Sequence, residues 1–247
     1  MKPTRKLLIL GLVMAFTLTI SAKAQDQEHS KAKDKAEDQS EEVKRVHAAA
    51  NVMDEIMSAP DKGIPDDLLK SAKCVAVVPS MIKGGFIVGG RYGKGVATCR
   101  TANGWSAPAP LEIAGGSWGL QIGGEAVDLV MLVMNDRGMQ HLLSSKFKLG
   151  ADASAAAGPV GRHTEATTDW KMKAEVLTYS RARGVFAGLE LNGAVIKQDQ
   201  DDTRLLFGKM EPFDAIFKGN VPTPPEARTF VATVSKYAGE ARTQASR

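Results

Sequence analysis

Apolar positions change their period along this chain, and the change divides it into helix and sheet. Val43, Val46, Ala50, Met53 and Met57, backed by Ile56, recur at helical spacing, which predicts a helix from about Ser40 to Ala59. Ser40 serves as its N-cap, and Glu41 and Glu42 sit where the helix dipole favours acids. Pro60 and Gly63 end it, and residues 65–73 read as a short second helix. The period then falls to two. Cys74 to Val78 and Phe86 to Val88 read as strands, and Trp105, Ala107, Ala109, Leu111 and Ile113 alternate with Ser106, Pro108, Pro110 and Glu112. The two prolines place that strand at an edge or a bulge. Trp118, Leu120 and Ile122 alternate with Gly119, Gln121 and Gly123, whereas Leu129 to Met134 is apolar throughout, the mark of a central strand covered on both faces.

Asn135 to Ser145 reads as a short helix and residues 147–161 as strand plus turn. Ala174 to Ser180 and Val185 to Lys197 supply further strands, with a turn at Asn192 and Gly193. Thr223 and Glu226 flank two prolines as a capping box. Ala227, Phe230, Val231, Val234, Tyr237, Ala238 and Ala241 then form one face of a closing helix. Strands and helices do not alternate regularly, so the fold class is α+β: a glycine-kinked, curved or barrel-like antiparallel sheet with flanking N- and C-terminal helices.

The first 24 residues have the form of a secretory signal peptide. Lys2, Arg5 and Lys6 precede the apolar run Leu7 to Ile20, and Ala22-Lys23-Ala24 offers a cleavage site. The expected mature protein is periplasmic or secreted. Residues 25–40 read as a flexible charged leader, and 41–247 as a single domain. Export changes the charge argument. The whole chain carries 32 Lys and Arg against 28 Asp and Glu; loss of Lys2, Arg5, Lys6 and Lys23 leaves the two signs equal. Global basicity therefore gives no reason to expect nucleic acid as a partner.

The distribution of charge says more than its sum. No acid lies between Asp67 and Glu112, while Lys70, Lys73, Lys83, Arg91, Lys94 and Arg100 all do. Such a stretch either faces an anionic surface or supplies solvated strand-edge charges that oppose aggregation. The apolar stripe of the first helix likewise either packs on a core or dips into lipid. Cys74 and Cys99, the two cysteines of the chain, form either a disulfide, which an oxidising compartment permits, or two buried thiols.

Catalytic motifs are weak. Gly115 to Gly119 satisfies G-x-S-x-G around Ser117, but the nucleophile elbow needs a helix after its strand, and here strand-like alternation follows. His163, with Glu165 and Asp169, is the one base placed to serve that serine. Gly90 to Gly95 lacks the spacing of a phosphate loop and reads as a hairpin with basic tips. Asp199 to Asp202 lacks the glycine and distal glutamate of a calcium loop and reads as a helix cap or turn. No metal site, cofactor or enzymatic activity is expected.

Five segments together resemble the SYLF domain family of lipid-binding and actin-regulator domains: AKCVAVVP from Ala72, KGGFIVGG from Lys83, GGSWGLQIGGE from Gly115, LGAD from Leu149 with Gly158-Pro159, and YSRARGVFAGLELNG from Tyr179. The resemblance covers about residues 41–210. It implies non-catalytic binding of anionic membrane lipid, of the phospholipid or phosphoinositide headgroup type, through a basic surface and an N-terminal amphipathic helix. Lys83, Arg91, Lys94 and Arg100, with Arg181 and Arg183 as a second cluster, are the candidate headgroup contacts. Val46, Met53 and Met57 are the candidate membrane-inserting residues. The competing expectation is a cell-envelope structural or protein-interaction module that uses a sheet edge; a serine hydrolase using Ser117 ranks below both.

Overall fold

In a computed structural model, the apolar runs pair into one sheet. The structure describes residues 33–34, 36–59, 63–85, 88–118, 123–159, 174–182, 185–189 and 191–239. The chain divides into two units, Met1–Glu41 and Glu42–Arg247, and the sheet with both of its cores belongs to the second. The signal peptide lies outside the described residues, as does the leader up to residue 32. Residues 36–40 are already helical, so the helix begins ahead of Ser40, which is not its cap.

Ten strands form the sheet: β1 Cys74–Gly85, β2 Val88–Thr101, β3 Gly104–Trp105, β4 Ala109–Trp118, β5 Gly123–Val133, β6 Lys146–Lys148, β7 Ala155–Ala157, β8 Val176–Ala182, β9 Val185–Gly188 and β10 Val195–Gln198. Their order is β6-β10-β4-β2-β1-β5-β8-β7, with β3 on β2 and β9 on β8. Only the β7–β8 pair is parallel among them. The sheet curls strongly into a half-barrel. The helices are α1, residues 36–58, α2 Asp66–Ser71, α3 Asp136–Leu143, α4 Gln200–Phe207, α5 Phe213–Phe217 and α6 Arg228–Ala238.

Alternation along the central strands feeds two cores. Cys74, Ala76 and Val78 of β1 join Leu129, Met131 and Val133 of β5 on one face, under Phe213, Ile216 and Phe217 of α5. Val75 and Val77 join Val130 and Leu132 on the other, under α1 and α6. Burial on both faces is why residues 129–133 carry no polar position. Val46 and Met53 of α1 are fully buried, and Met57 packs half-buried against the same core. The helical stripe is therefore core, and these three residues are not free to insert into lipid in this fold.

Four local expectations need correction. Strand β1 does not stop at Val78 but continues to Gly85 through a bulge at Pro79 and Ser80, where the register on both neighbours shifts. Proline has no N–H for the ladder and is accommodated at such a bulge; Ser80 takes a positive φ of 50° and donates its N–H to Asp128. Gly90 to Gly95 is consequently the middle of β2, not a hairpin. Strand β4 is internal, between β10 and β2. Its Pro110 is tolerated because pairing with β10 begins only at Leu111. The capping box at Thr223 is not formed: a 3-10 turn, Pro225–Ala227, precedes α6, and neither has a side-chain cap. Asp199, by contrast, accepts the Asp202 N–H and caps α4. The alternation at 118–122 ends with β4 at Trp118; residues 119–122 lie outside the described residues.

The paired positions Cys74 and Cys99 are joined in a disulfide across β1 and β2.

Candidate functional site

The basic candidates separate into those consumed by the fold and those at its far end. Arg100 belongs to the first group. Its Nε donates to the Ala72 carbonyl, its Nη atoms to the carbonyls of Lys70, Ala238 and Gly239, and its guanidinium lies 4.4 Å over the Trp105 ring. It satisfies the C-terminal carbonyls of α2 and α6, groups that a helix end otherwise leaves orphaned. Desolvation holds its pKa below the ordinary arginine value.

Lys94 projects from β2 into a cluster of acids. Its Nζ lies 2.6 Å from Asp199 and 2.9 Å from Asp202. Arg45 of α1 contacts Asp202 at 2.6 Å and also pairs with Glu42. Burial opposes the Lys94 charge, but the two aspartates outweigh it and raise its pKa. Glu42, 1% exposed, is pushed up to about 8 by desolvation, against the pull of Arg45 and with the help of Asp202 and Asp199. Arg181 pairs with Asp128 across β8 and β5 at 2.6 Å and with Glu55 of α1. Arg183 lies outside the described residues.

Lys83 and Arg91 lie at the far end. They are direct cross-strand partners near the β1–β2 hairpin end, with Glu125 of β5 opposite Lys83 on its other side. Directly opposed residues of an antiparallel pair share a face, and like charges there are destabilising. Desolvation lowers the Arg91 pKa, the direction expected when a cation is drawn out of water. The sequence carried a signal for this register that periodicity missed: KGGFIVGGR, residues 83–91, is symmetric about Ile87, and the pairs Lys83–Arg91, Gly84–Gly90 and Gly85–Gly89 follow it.

The next residue on each strand points to the opposite face. Ile82 and Tyr92 pair there, 61% and 45% exposed, the large apolar side chains most open to solvent among the described residues. Ser117 sits in β4 with its backbone paired to Gly89. That is strand on both sides of the position as far as Trp118, not the strand-to-helix turn of a nucleophile elbow; His163, Glu165 and Asp169 lie outside the described residues. Among the described residues no group of three or more His, Cys, Asp or Glu is placed to hold a metal ion, and no helix is long and apolar enough to cross a membrane.

The fold and its charges define a helix-covered, curled-sheet domain with a basic, glycine-rich end. Comparison with known proteins gives the family. Residues 114–237 match the Ysc84 family, described as "Las17-binding protein actin regulator". The chain is 33% identical over 211 residues to rat "SH3 domain-containing YSC84-like protein 1", covering 83% of this chain and 62% of that protein. Its human counterpart is 33% identical over 201 residues, 79% and 58% respectively. "Protein YSC84" of Saccharomyces cerevisiae is 33% identical over 171 residues, 68% and 36%. This chain belongs to the Ysc84, or SYLF, family. It spans about three fifths of the animal relatives' length.

Proposed function

We propose that this chain is a non-catalytic binding domain that takes anionic lipid headgroups at the distal end of its sheet, acting in the periplasm or outside the cell after removal of residues 1–24. The observation that supports this reading is the direct opposition of Lys83 and Arg91. Two cations set side by side, with the carboxylate of Glu125 opposite Lys83 on its other side, offer adjacent charged donors to a phosphate group. Lys94, Arg100 and Arg181 act one step back: they fix the sheet and helices that hold the pair. Co-sedimentation of residues 25–247 with vesicles of graded anionic content tests the reading. Binding rises with anionic lipid and falls with salt. Lys83→Glu weakens it by about tenfold or more, since each basic residue near an anionic surface contributes roughly 1 kcal/mol and the reversal adds a repelled carboxylate to that loss, while Lys146→Glu, on the exposed edge strand β6, has a smaller effect. Equal affinity for neutral and anionic vesicles sinks the proposal.

A second reading, a protein-interaction module, is favoured by the description of the family as "Las17-binding protein actin regulator" and by the yeast relative "LAS seventeen-binding protein 3", 33% identical over 169 residues. It requires a stable complex in lipid-free extracts, insensitive to Lys83→Glu.

A further inference from the structure

On the face that α1 covers over Val75, Val77, Val96 and Val130, the sheet continues beyond the helix as a strip of three rows. Its first row is made of charges that are paired: Lys94 with Asp199 and Asp202, Arg45 with Asp202, Glu112 with Lys197, and Arg181 with Asp128 and Glu55. The second row is apolar. Ala126, Ile82, Tyr92, Ala114 and Val195 are successive cross-strand partners on β5, β1, β2, β4 and β10, with Ala126, Ile82 and Tyr92 exposed. The third row is glycine on four adjacent strands: Gly124, Gly84, Gly90 and Gly116.

Among the described residues nothing calls for Gly90 and Gly116. Neither has a positive φ. A Cβ on Gly90 would meet only the Gly115 carbonyl oxygen, at 3.9 Å, and one on Gly116 only the Gly89 carbonyl oxygen, at 3.9 Å. Glycine weakens a strand interior, and where turn and packing do not require it, it marks a place where something else approaches the backbone. The charge pattern selects the occupant. One face of the hairpin end is apolar with its nearest charges paired, and at the same level the other face sets Lys83 beside Arg91, with Glu125 on the far side of Lys83. Apolar surface beside basic surface is complementary to the boundary between acyl chains and anionic headgroups.

We propose that the end of the β1–β2 hairpin, and not α1, is the part of this domain that enters an anionic lipid surface, with Ile82, Tyr92 and the glycine row against the acyl boundary and Lys83 and Arg91 at the headgroups. The proposal rests on the lipid reading above. It differs from the amphipathic-helix expectation because α1 spends its apolar face on the core.

Single-thiol labelling tests it. Cys74 and Cys99 are bonded and are the chain's two cysteines, so Ile82→Cys or Asn51→Cys (exposed, on α1) introduces one reactive thiol under non-reducing conditions. Each variant carries an environment-sensitive fluorophore and is mixed with phosphatidylglycerol vesicles containing nitroxide-labelled lipid. The label at 82 shifts to the blue and is quenched, while the label at 51 stays in water. Quenching at 51 with none at 82 overturns the proposal and leaves lipid binding standing. A wild-type chain that binds no vesicle overturns the lipid reading and the proposal together. As an unlabelled check, Ile82→Thr with Tyr92→Thr, a favourable cross-strand pair, and separately Gly90→Asp, lower vesicle affinity by about tenfold or more with the melting temperature unchanged, because binding of this kind scales with the apolar area inserted; unchanged affinity in both overturns the proposal.

Discussion

The long strands β1, β2, β4 and β5 run through two environments. In the half nearer Cys74, the strands are rich in buried valine, leucine, isoleucine and alanine, covered by helices on both faces. In the half nearer the hairpin end, the same strands carry glycine, lysine and arginine, and one face is bare. Backbone pairing continues from one half into the other. Stability and recognition are thus separated along single strands: burial fixes the near half, and the register it imposes places the residues of the far half. The pairing of Lys83 with Arg91 depends on packing that begins about thirty ångströms away along β1, at roughly 3.3 Å per residue.

The largest expected contrast lies in truncation. Leu132, fully buried between β1 and β8, loses its packing when replaced by alanine, and Leu132→Ala costs about 2–5 kcal/mol. Ile82→Ala, at a position 61% exposed on the adjoining strand, stays within about 0.5 kcal/mol. Chemical denaturation of the two variants measures both. Equal losses would mean that the far half is packed as tightly as the near one.

Legibility in the sequence divides along the same line. The near half was readable because burial on two faces leaves an apolar run, as at residues 129–134, and burial of one helical face leaves the stripe from Val46 to Met57. The bulge at Pro79 was not, since a strand passing through proline and a strand ending at it look alike until the neighbours are known. Helices α4 and α5 were too short for periodicity to declare. The charged candidates failed for a different reason. Sequence shows that Lys94, Arg100 and Arg181 are basic, but their partners lie far off along the chain, at Asp199 and Asp202, at the α6 carbonyls, and at Asp128 and Glu55. Only Lys83 and Arg91 had a local signature, the symmetry of their glycine-flanked segment.

A smaller effect probes the border of the two halves through pH. Glu42 pairs with Arg45 one turn further along α1, beside Lys94, Asp199 and Asp202. Burial raises its pKa from 4.5 to about 8, so the folded state holds this proton more tightly than the unfolded chain. The contribution is complete below about pH 4.5 and is lost as pH rises toward 8. Asp199, pulled down by Lys94 and the Asp202 N–H against the cost of burial, acts oppositely and loses its contribution as pH falls through its depressed pKa. Glu42→Gln isolates the first group: relative to wild type, the variant gains melting temperature progressively from pH 5 to pH 8, with no gain at pH 4. A difference that does not change with pH over that window would show Glu42 ionised throughout, held by Arg45.

The smallest expected effect discriminates most sharply, because it uses two glycines of one strand. A Cβ on Gly95 would lie 2.1 Å from the Val77 carbonyl oxygen at the β1 bulge, a backbone contact that cannot move aside, so Gly95→Ala destabilises. At Gly90, five residues along β2, the same Cβ makes an ordinary van der Waals contact with the Gly115 carbonyl oxygen at 3.9 Å. Gly90→Ala therefore removes freedom from the unfolded chain without strain in the folded one and stabilises by about 0.5–1 kcal/mol; Gly116→Ala does the same from β4. Thermal unfolding of the three variants reads the signs directly. If Gly90→Ala also destabilises, the strip has an internal packing role and its glycines are explained by the fold. If it stabilises, the chain keeps at that end residues that its own stability does not favour, and the reason for them lies in what the strip meets.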